Sequence, residues 1–94
     1  MPDPNKSVRV RVTGRVQGVG FREWTREEAS GLGLSGWVRN DADGSVSALL
    51  VGPDGDVATM LDRLWTGPRF AVVSVVESEA AEITGMEADF RIIR

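Results

Sequence analysis

A glycine-rich stretch with an arginine behind it carries the clearest chemical signal in the sequence. Three glycines interrupt residues 14–20, and Arg22 follows them where the apolar spacing becomes helical. The first N–H groups of a helix have no partner within the helix and carry a partial positive charge, and glycine lets such groups converge on one point. A guanidinium beside them adds a planar pair of donors that matches two phosphate oxygens. The stretch therefore predicts an anion site of about phosphate size.

The same residues also allow a purely structural interpretation. Gly18 and Gly20 would then serve only a tight turn from strand to helix, and Arg22 would be an exposed helical residue, which is the commoner case for an isolated glycine-rich loop. No Gly-Lys-Ser or Gly-Lys-Thr follows the glycines, so the loop is not that of a nucleoside triphosphatase. Residues 14–18 do not match the dinucleotide-binding pattern either.

The composition removes several classes of chemistry. The chain has 94 residues, a net charge of −3 and neither cysteine nor histidine. Catalysis by serine–histidine, cysteine–histidine or histidine–zinc groups is therefore excluded, and so are metal sites built on thiolates. The absence of cysteine suits a reducing compartment, which predicts a cytoplasmic location. The acidic balance and the short apolar runs predict neither a nucleic-acid partner nor a membrane partner.

Hydrophobic periodicity predicts the elements on either side of the loop. Valines at positions 8, 10 and 12 alternate with polar residues, as in a half-buried strand. From Phe21 to Leu32 the apolar residues recur at helical spacing, so a helix follows the loop directly. Residues 36–40 and 46–50 are predicted to form a hairpin around the turn residues 41–44.

The second half of the chain repeats the order of elements. We expect a second helix that Asp54 or Asp56 caps, then a strand over 70–76, a polar loop over 77–89 and a short final strand over 90–93. Two β-α-β units with one extra strand predict an α+β, ferredoxin-like βαββαβ sandwich. Its sheet would be mainly antiparallel with four to five strands, and both helices would cover one face. Residues 1–7 are predicted to be a flexible tail and residues 8–94 a single domain.

Two separate motifs resemble signatures of the acylphosphatase family. Residues 12–22, VTGRVQGVGFR, are similar to the phosphate loop of that family. Residues 36–40, GWVRN, followed by a Gly-Ser-Val at 44–46 and a glycine at 52, resemble its second signature. The resemblance extends over most of the chain and implies the same ferredoxin-like sandwich. It also implies hydrolysis of the carboxyl-phosphate bond of acyl phosphates without metal or cofactor.

The resemblance implies a role for each matching position. The residues that would bind phosphate through their backbone N–H groups are Gln17, Gly18, Val19, Gly20 and Phe21. Arg22 would bind phosphate as the catalytic arginine, and Asn40 would position the attacking water. Gly20 stands where the family often has larger residues, so we expect it to loosen the loop without abolishing it. Asp41 places an acidic group beside Asn40, and we expect it to face solvent in the turn.

Acyl phosphates are substrates that need no histidine. The leaving carboxylate has a pKa of about 4, so it departs without a general acid. The enzyme must then hold the phosphoryl group, spread its charge and orient one water molecule. We therefore expect a small-molecule acyl phosphate as the substrate, and at this chain length a monomer is the simplest expectation. Since histidine and cysteine are absent, we also expect a rate that changes little with pH between about 5 and 8.

Other functions share the predicted fold. A ferredoxin-like sheet can bind single-stranded RNA through exposed aromatic residues, but this chain has no tyrosine and its phenylalanines are poorly placed for stacking. A regulatory or binding module would use the same anion loop without catalysis. Acylphosphatase-like domains also occur in larger proteins that handle carbamoyl phosphate, which makes carbamoyl phosphate an alternative substrate.

Overall fold

The alternating valines near the start of the chain lie in the first strand. The computed structural model of the chain describes residues 5–82 and 89–93. Strand β1 runs over Asn5–Arg15, and its residues Val8, Val10 and Val12 are at most 4% exposed. Arg9 and Arg11 lie on the opposite, exposed face. The period of two thus predicted both the strand and its buried side correctly.

The remaining elements follow in the predicted order. They are α1 over Phe21–Gly31, β2 over Ser35–Asn40, β3 over Val46–Pro53, α2 over Asp54–Thr66, β4 over Val72–Ala80 and β5 over Phe90–Ile92. The strands form one five-stranded sheet in the order β4-β1-β3-β2-β5. All its pairs are antiparallel except the pair of β2 with β5, which is parallel. The α+β, ferredoxin-like architecture is therefore confirmed.

The core forms between the two helices and one face of the sheet. Helix α1 contributes Phe21 and Ala29, and α2 contributes Val57, Met60 and Leu64, each of them at most 2% exposed. They pack with the buried valines of β1 and with side chains of β2 and β3. Full burial of one such large apolar side chain is worth about 1.5–3 kcal/mol as an upper value. This burial holds the start of α1, and so the loop before it, against the sheet.

The chain enters the sheet earlier than the sequence predicted. The predicted tail over residues 1–7 is wrong for its last three residues, because the backbone of residues 5–7 pairs with Pro53, Gly52 and Val51 of β3. The side chain of Ser7 is only 7% exposed. Residues 1–4 of the predicted tail lie outside the described residues.

Strand β4 also differs from its prediction. It begins at Val72 and continues to Ala80, so the first residues of the predicted polar loop over 77–89 are a strand. In the register of β4 with β1, Glu77 stands opposite Arg11 and Glu79 opposite Arg9, and opposite charges at facing positions favour strand pairing. These acidic residues suggested a loop in isolation, but in the sheet they face basic partners. Residues 83–88 of that predicted loop lie outside the described residues.

The start of α2 has a different cap from the one predicted. The N-cap residue is Pro53, and no side chain caps the helix. Asp54 and Asp56 instead lie in the first turn, where their negative charges interact favourably with the positive end of the helix dipole. Asp54 also forms an exposed ion pair with Lys6 of β1, with 3.1 Å between Oδ1 and Nζ. Neither α1 nor α2, the helices of the described residues, has the length and hydrophobicity that a membrane span requires.

Candidate active site

The loop between β1 and α1 is fixed at both ends and open in the middle. Val16 and Phe21 are at most 2% exposed and anchor it in the core. Between them, Gly18 and Gly20 adopt left-handed backbone conformations with φ of 74° and 79°. A Cβ at either position would meet no atom within 4 Å, so the positive φ and not lack of space favours glycine. The expectation that Gly20 only loosens the loop is therefore incomplete, because another residue there would be strained.

The loop presents a series of backbone N–H donors near the start of α1. Gly20 is the N-cap of α1 and offers no side-chain cap, and its carbonyl accepts the first helical bond from Trp24 N at 3.0 Å. Within residues 5–82 and 89–93, the backbone N–H groups of Gln17–Phe21 have no hydrogen-bond acceptor. Unpaired donors at the positive end of a helix are what an anion site requires.

Arg22 and Asn40 border the same pocket as this loop. The pocket has a volume of about 270 Å³ and is lined by Val16, Gly18, Gly20, Phe21, Arg22, Glu23, Asn40 and Ile92. Arg22 lies in the first turn of α1 and Asn40 at the end of β2, and both are partly exposed. In the part of the chain that the structure describes, neither side chain has an ion-pair or hydrogen-bond partner. Both are therefore free to bind a ligand in the pocket.

The acidic residue of the pocket has its own partner. Glu23 forms an ion pair with Arg26, one turn further along α1. The hydrogen bond from Arg26 lowers the pKa of Glu23. Its charge is thus held by Arg26 and not by Arg22. Among the described residues there is no group of three or more acidic side chains that would hold a metal ion.

The structure places two of the predicted phosphate-binding residues differently from the rest. Val19 packs against the core, and neither Val19 nor Gln17 is among the residues that line the pocket. The Gln17 side chain reaches the β2–β3 turn, where Nε2 donates to Asp41 O at 2.8 Å and to Ser45 O at 2.9 Å. The sequence did not reveal this contact, because it spans more than 20 residues and depends on the shape of the hairpin.

The expectation that Asp41 faces solvent is wrong. Its side chain is 20% exposed, and its carboxylate accepts hydrogen bonds from Ser45 Oγ at 2.9 Å, from Ser47 Oγ and from Arg39 Nε at 3.3 Å. Burial raises the pKa of Asp41, but the hydrogen bonds from Ser47, Ser45 and Arg39 outweigh burial and lower it. The turn closes through Asp41 N and Ser45 O at 2.8 Å, which brings the serines to the carboxylate. The sequence contained one sign of this arrangement, because the predicted hairpin places Arg39 directly opposite Ser47, and both residues bond to Asp41.

The three tryptophans differ in exposure. Trp37 lies on the exposed face of the sheet, where the guanidinium carbons of Arg9 and Arg39 are 5.8 and 5.0 Å from its ring centre. Trp65 is 52% exposed on α2. Trp24 packs against the core with its ring centre 5.4 Å from that of Phe21.

Comparisons with known proteins agree with this geometry. The sequence profile of the Acylphosphatase family matches residues 8–92. The chain is 60% identical to the acylphosphatase of Rhizobium etli over 92 residues, which are 98% of each chain. The solved structure of an acylphosphatase from Coxiella burnetii superposes with a TM-score of 0.90 at 37% identity and covers 95% of this chain and 93% of that one. Full-length HypF gives a TM-score of 0.91 at 22% identity over 12% of its own length, a likeness of fold alone.

Proposed function

The chain belongs to the acylphosphatase family of hydrolases, and we propose that it cleaves acyl phosphates in the pocket between the β1–α1 loop and Asn40. The products are a carboxylate and inorganic phosphate. One observation carries the proposal: unpaired loop donors, an uncommitted guanidinium and an uncommitted carboxamide border one cavity. The RNA-binding and regulatory alternatives, and carbamoyl phosphate as the substrate, are not favoured by any of these observations.

In the proposed complex, the phosphoryl group of the substrate lies against the start of α1. Its oxygens accept hydrogen bonds from the N–H groups of Gln17–Phe21 and from the guanidinium of Arg22. Hydrogen bonds that involve a charged group contribute about 1.5–3 kcal/mol each, so a few of them suffice to hold a dianion. The same donors stabilise the charge that the phosphoryl oxygens carry in the transition state.

Asn40 orients the attacking water in this proposal. A carboxamide offers both an acceptor and a donor, so it can fix the direction of a water lone pair toward phosphorus. The water oxygen forms a bond to phosphorus while the bond between phosphorus and the acyl oxygen breaks. The acyl group leaves as a carboxylate, and a proton of the water passes to a phosphoryl oxygen. No side chain has to donate or accept a proton, which fits a chain without histidine.

The proposed machinery comes from one chain and needs neither a metal nor a cofactor. Arg22 lies in the first turn of α1, Asn40 ends β2, and the loop leads directly into α1. We therefore propose a monomer with a single domain, which includes residues 5–7 of β1 in addition to the predicted residues 8–94. A cytoplasmic location remains a prediction that rests on the absence of cysteine.

Hydrolysis of benzoyl phosphate in the presence of a chelator tests the proposal. We expect turnover that is unchanged by the chelator, nearly flat between pH 5 and 8, and competitively inhibited by inorganic phosphate. Arg22→Lys keeps the charge but loses the planar pair of donors, so kcat/KM should fall at least about a hundredfold. Arg26→Lys, one turn further along α1, is the matched control and should stay within twofold of the wild type. An Arg22→Lys variant as active as the control would refute the proposed site.

A further inference from the structure

We propose that the side chain of Gln17 is a positioning residue, which fixes the distance between the anion loop and Asn40. The proposal rests on the proposed function, because it concerns how the two halves of that site are held together. It differs from the role that the resemblance implies for Gln17, which involves only its backbone N–H group.

The contacts of Gln17 use the full donor capacity of its carboxamide nitrogen. Nε2 carries two hydrogens, and the two acceptors are the carbonyls of Asp41 and Ser45, at 2.8 and 2.9 Å. Both carbonyls stand at the neck of the β2–β3 turn, where Asp41 N also donates to Ser45 O at 2.8 Å. The contact therefore holds the point where the hairpin turn closes.

The position of this contact connects the two halves of the site. Gln17 is the first residue of the anion loop, and Asp41 follows Asn40 directly in the chain. The link is partly buried and joins residues that are 24 and 28 positions apart. Because in-line attack depends on the water lying within a few tenths of an ångström of its productive place, a tie at this point acts on the reaction geometry.

The Gln17 side chain acts on Asn40 and does not contact the substrate. It is not among the residues that line the pocket, and its nitrogen is already occupied by the hairpin carbonyls. Loss of the tie should therefore lower kcat through misplaced water while phosphate binding by the loop and Arg22 changes little. A side chain that served folding alone would show no such preference.

A double-mutant cycle with Gln17→Met and Asn40→Ala tests the inference. Methionine has a similar length but no donor, so we expect kcat for benzoyl phosphate to fall about tenfold. The inhibition constant of inorganic phosphate should stay within about threefold of the wild type. In the Asn40→Ala background, the same change should lower kcat less than twofold, because the group that Gln17 positions is gone.

Two further variants keep the test decisive. Thr59→Val removes a side-chain bond to Gly55 O on α2, far from the loop in sequence, and should leave kcat unchanged. Should Gln17→Met fail to fold, Gln17→Asn shortens the carboxamide and should show the same pattern. An equal loss of kcat in both backgrounds, or a larger change in phosphate inhibition than in kcat, would overturn the role of Gln17 alone. If Asn40→Ala itself left kcat unchanged, both the proposed site and this inference would fail.

Discussion

The two connections that meet at the pocket use their polar groups in opposite ways. In the β2–β3 turn, Ser45 Oγ lies 2.9 Å from a carboxylate oxygen of Asp41 and 2.6 Å from one of Asp43, and Asp43 also accepts a bond from Ser45 N at 3.0 Å. In the β1–α1 loop, the backbone donors of Gln17–Phe21 have no acceptor among the described residues. The polar groups of the turn are bonded to one another and to neighbouring side chains, whereas the backbone donors of the loop stay unpaired within the described residues.

The difference follows from residue type. Aspartate and serine bond to nearby backbone and to each other, so a turn rich in them saturates its own hydrogen bonds. Glycine has no side chain to do so, and residues 18 and 20 hold left-handed conformations that leave the N–H groups exposed. The comparison fits the proposed function, in which the loop binds the phosphoryl group and the turn supports the loop. Substitutions in the loop and its partners should therefore change activity, and those in the turn should change stability.

The largest effect should come from Asn40, which directly precedes the turn and lines the pocket. Asn40→Asp preserves the size of the side chain but adds a negative charge beside the phosphate and removes the amide donor. We expect kcat/KM for benzoyl phosphate to fall at least about a hundredfold, with the unfolding midpoint nearly unchanged. Kinetics and urea unfolding of the same preparation measure the two effects. Activity within threefold of the wild type would contradict the proposed role of Asn40 in the reaction.

Asp41, the next residue in the chain, should affect the stability of the protein more than its activity. Asp41→Asn removes the charge that Ser45, Ser47 and Arg39 stabilise, and we expect it to lower the free energy of unfolding by about 1–2 kcal/mol. Activity at saturating substrate should stay within about fivefold, because Asp41 does not line the pocket. A hundredfold loss of activity with unchanged stability would mean that the turn serves catalysis and not stability.

The stability difference between the wild type and Asp41→Asn should depend on pH. The folded-state pKa of Asp41 lies below its usual value of 3.8, so the contribution of its charge is fully present above that value. As the pH falls from there through the lowered pKa, Asp41 becomes protonated in both states and the difference disappears. Urea unfolding at neutral pH and at pH values below 3.8 measures this, and a difference that grows on acidification would contradict it.

The smallest expected effect concerns the backbone of the loop. Gly20→Ala places a side chain at φ 79°, which strains the backbone by about 1 kcal/mol and shifts the loop donors. We expect the inhibition constant of phosphate to rise about three- to tenfold. The control is Gly55→Ala in α2, where φ is not left-handed and a Cβ meets nothing within 4 Å. Gly55→Ala should leave phosphate binding unchanged, and an equal effect of both variants would mean that the loop conformation does not matter.

Much of the fold was predictable because local patterns and tertiary contacts agree. The valines of β1 alternate, α1 begins where the glycines end, and Asn40 ends a strand that leads to the pocket. The errors arose where long-range partners override local preference. Glu77 and Glu79 suggested a loop, but they lie in β4 opposite arginines of β1, a placement that favours pairing.

The residue types of the candidate site could be predicted from the sequence, but the contacts between its segments could not. Glycines before a helix and an arginine in its first turn indicate an anion site from local chemistry alone. The tie from Gln17 to the hairpin depends on how two distant segments meet, and no spacing in the sequence encodes that distance. The inward orientation of the Asp41 side chain likewise depends on Ser45 of the turn and Ser47 of β3.

The sheet order has a consequence for how the protein matures. β1 lies between β3 and β4, so Val12, three residues before the end of the strand that leads into the loop, pairs with Val46 on one side and Val76 on the other. Both partners are synthesised long after β1, and such distant pairings form slowly compared with local ones. An N-terminal fragment that stops before β4 therefore lacks one of the two neighbours that hold the loop's strand. At the proposed site, a bound anion would stabilise the complete sheet relative to such a fragment.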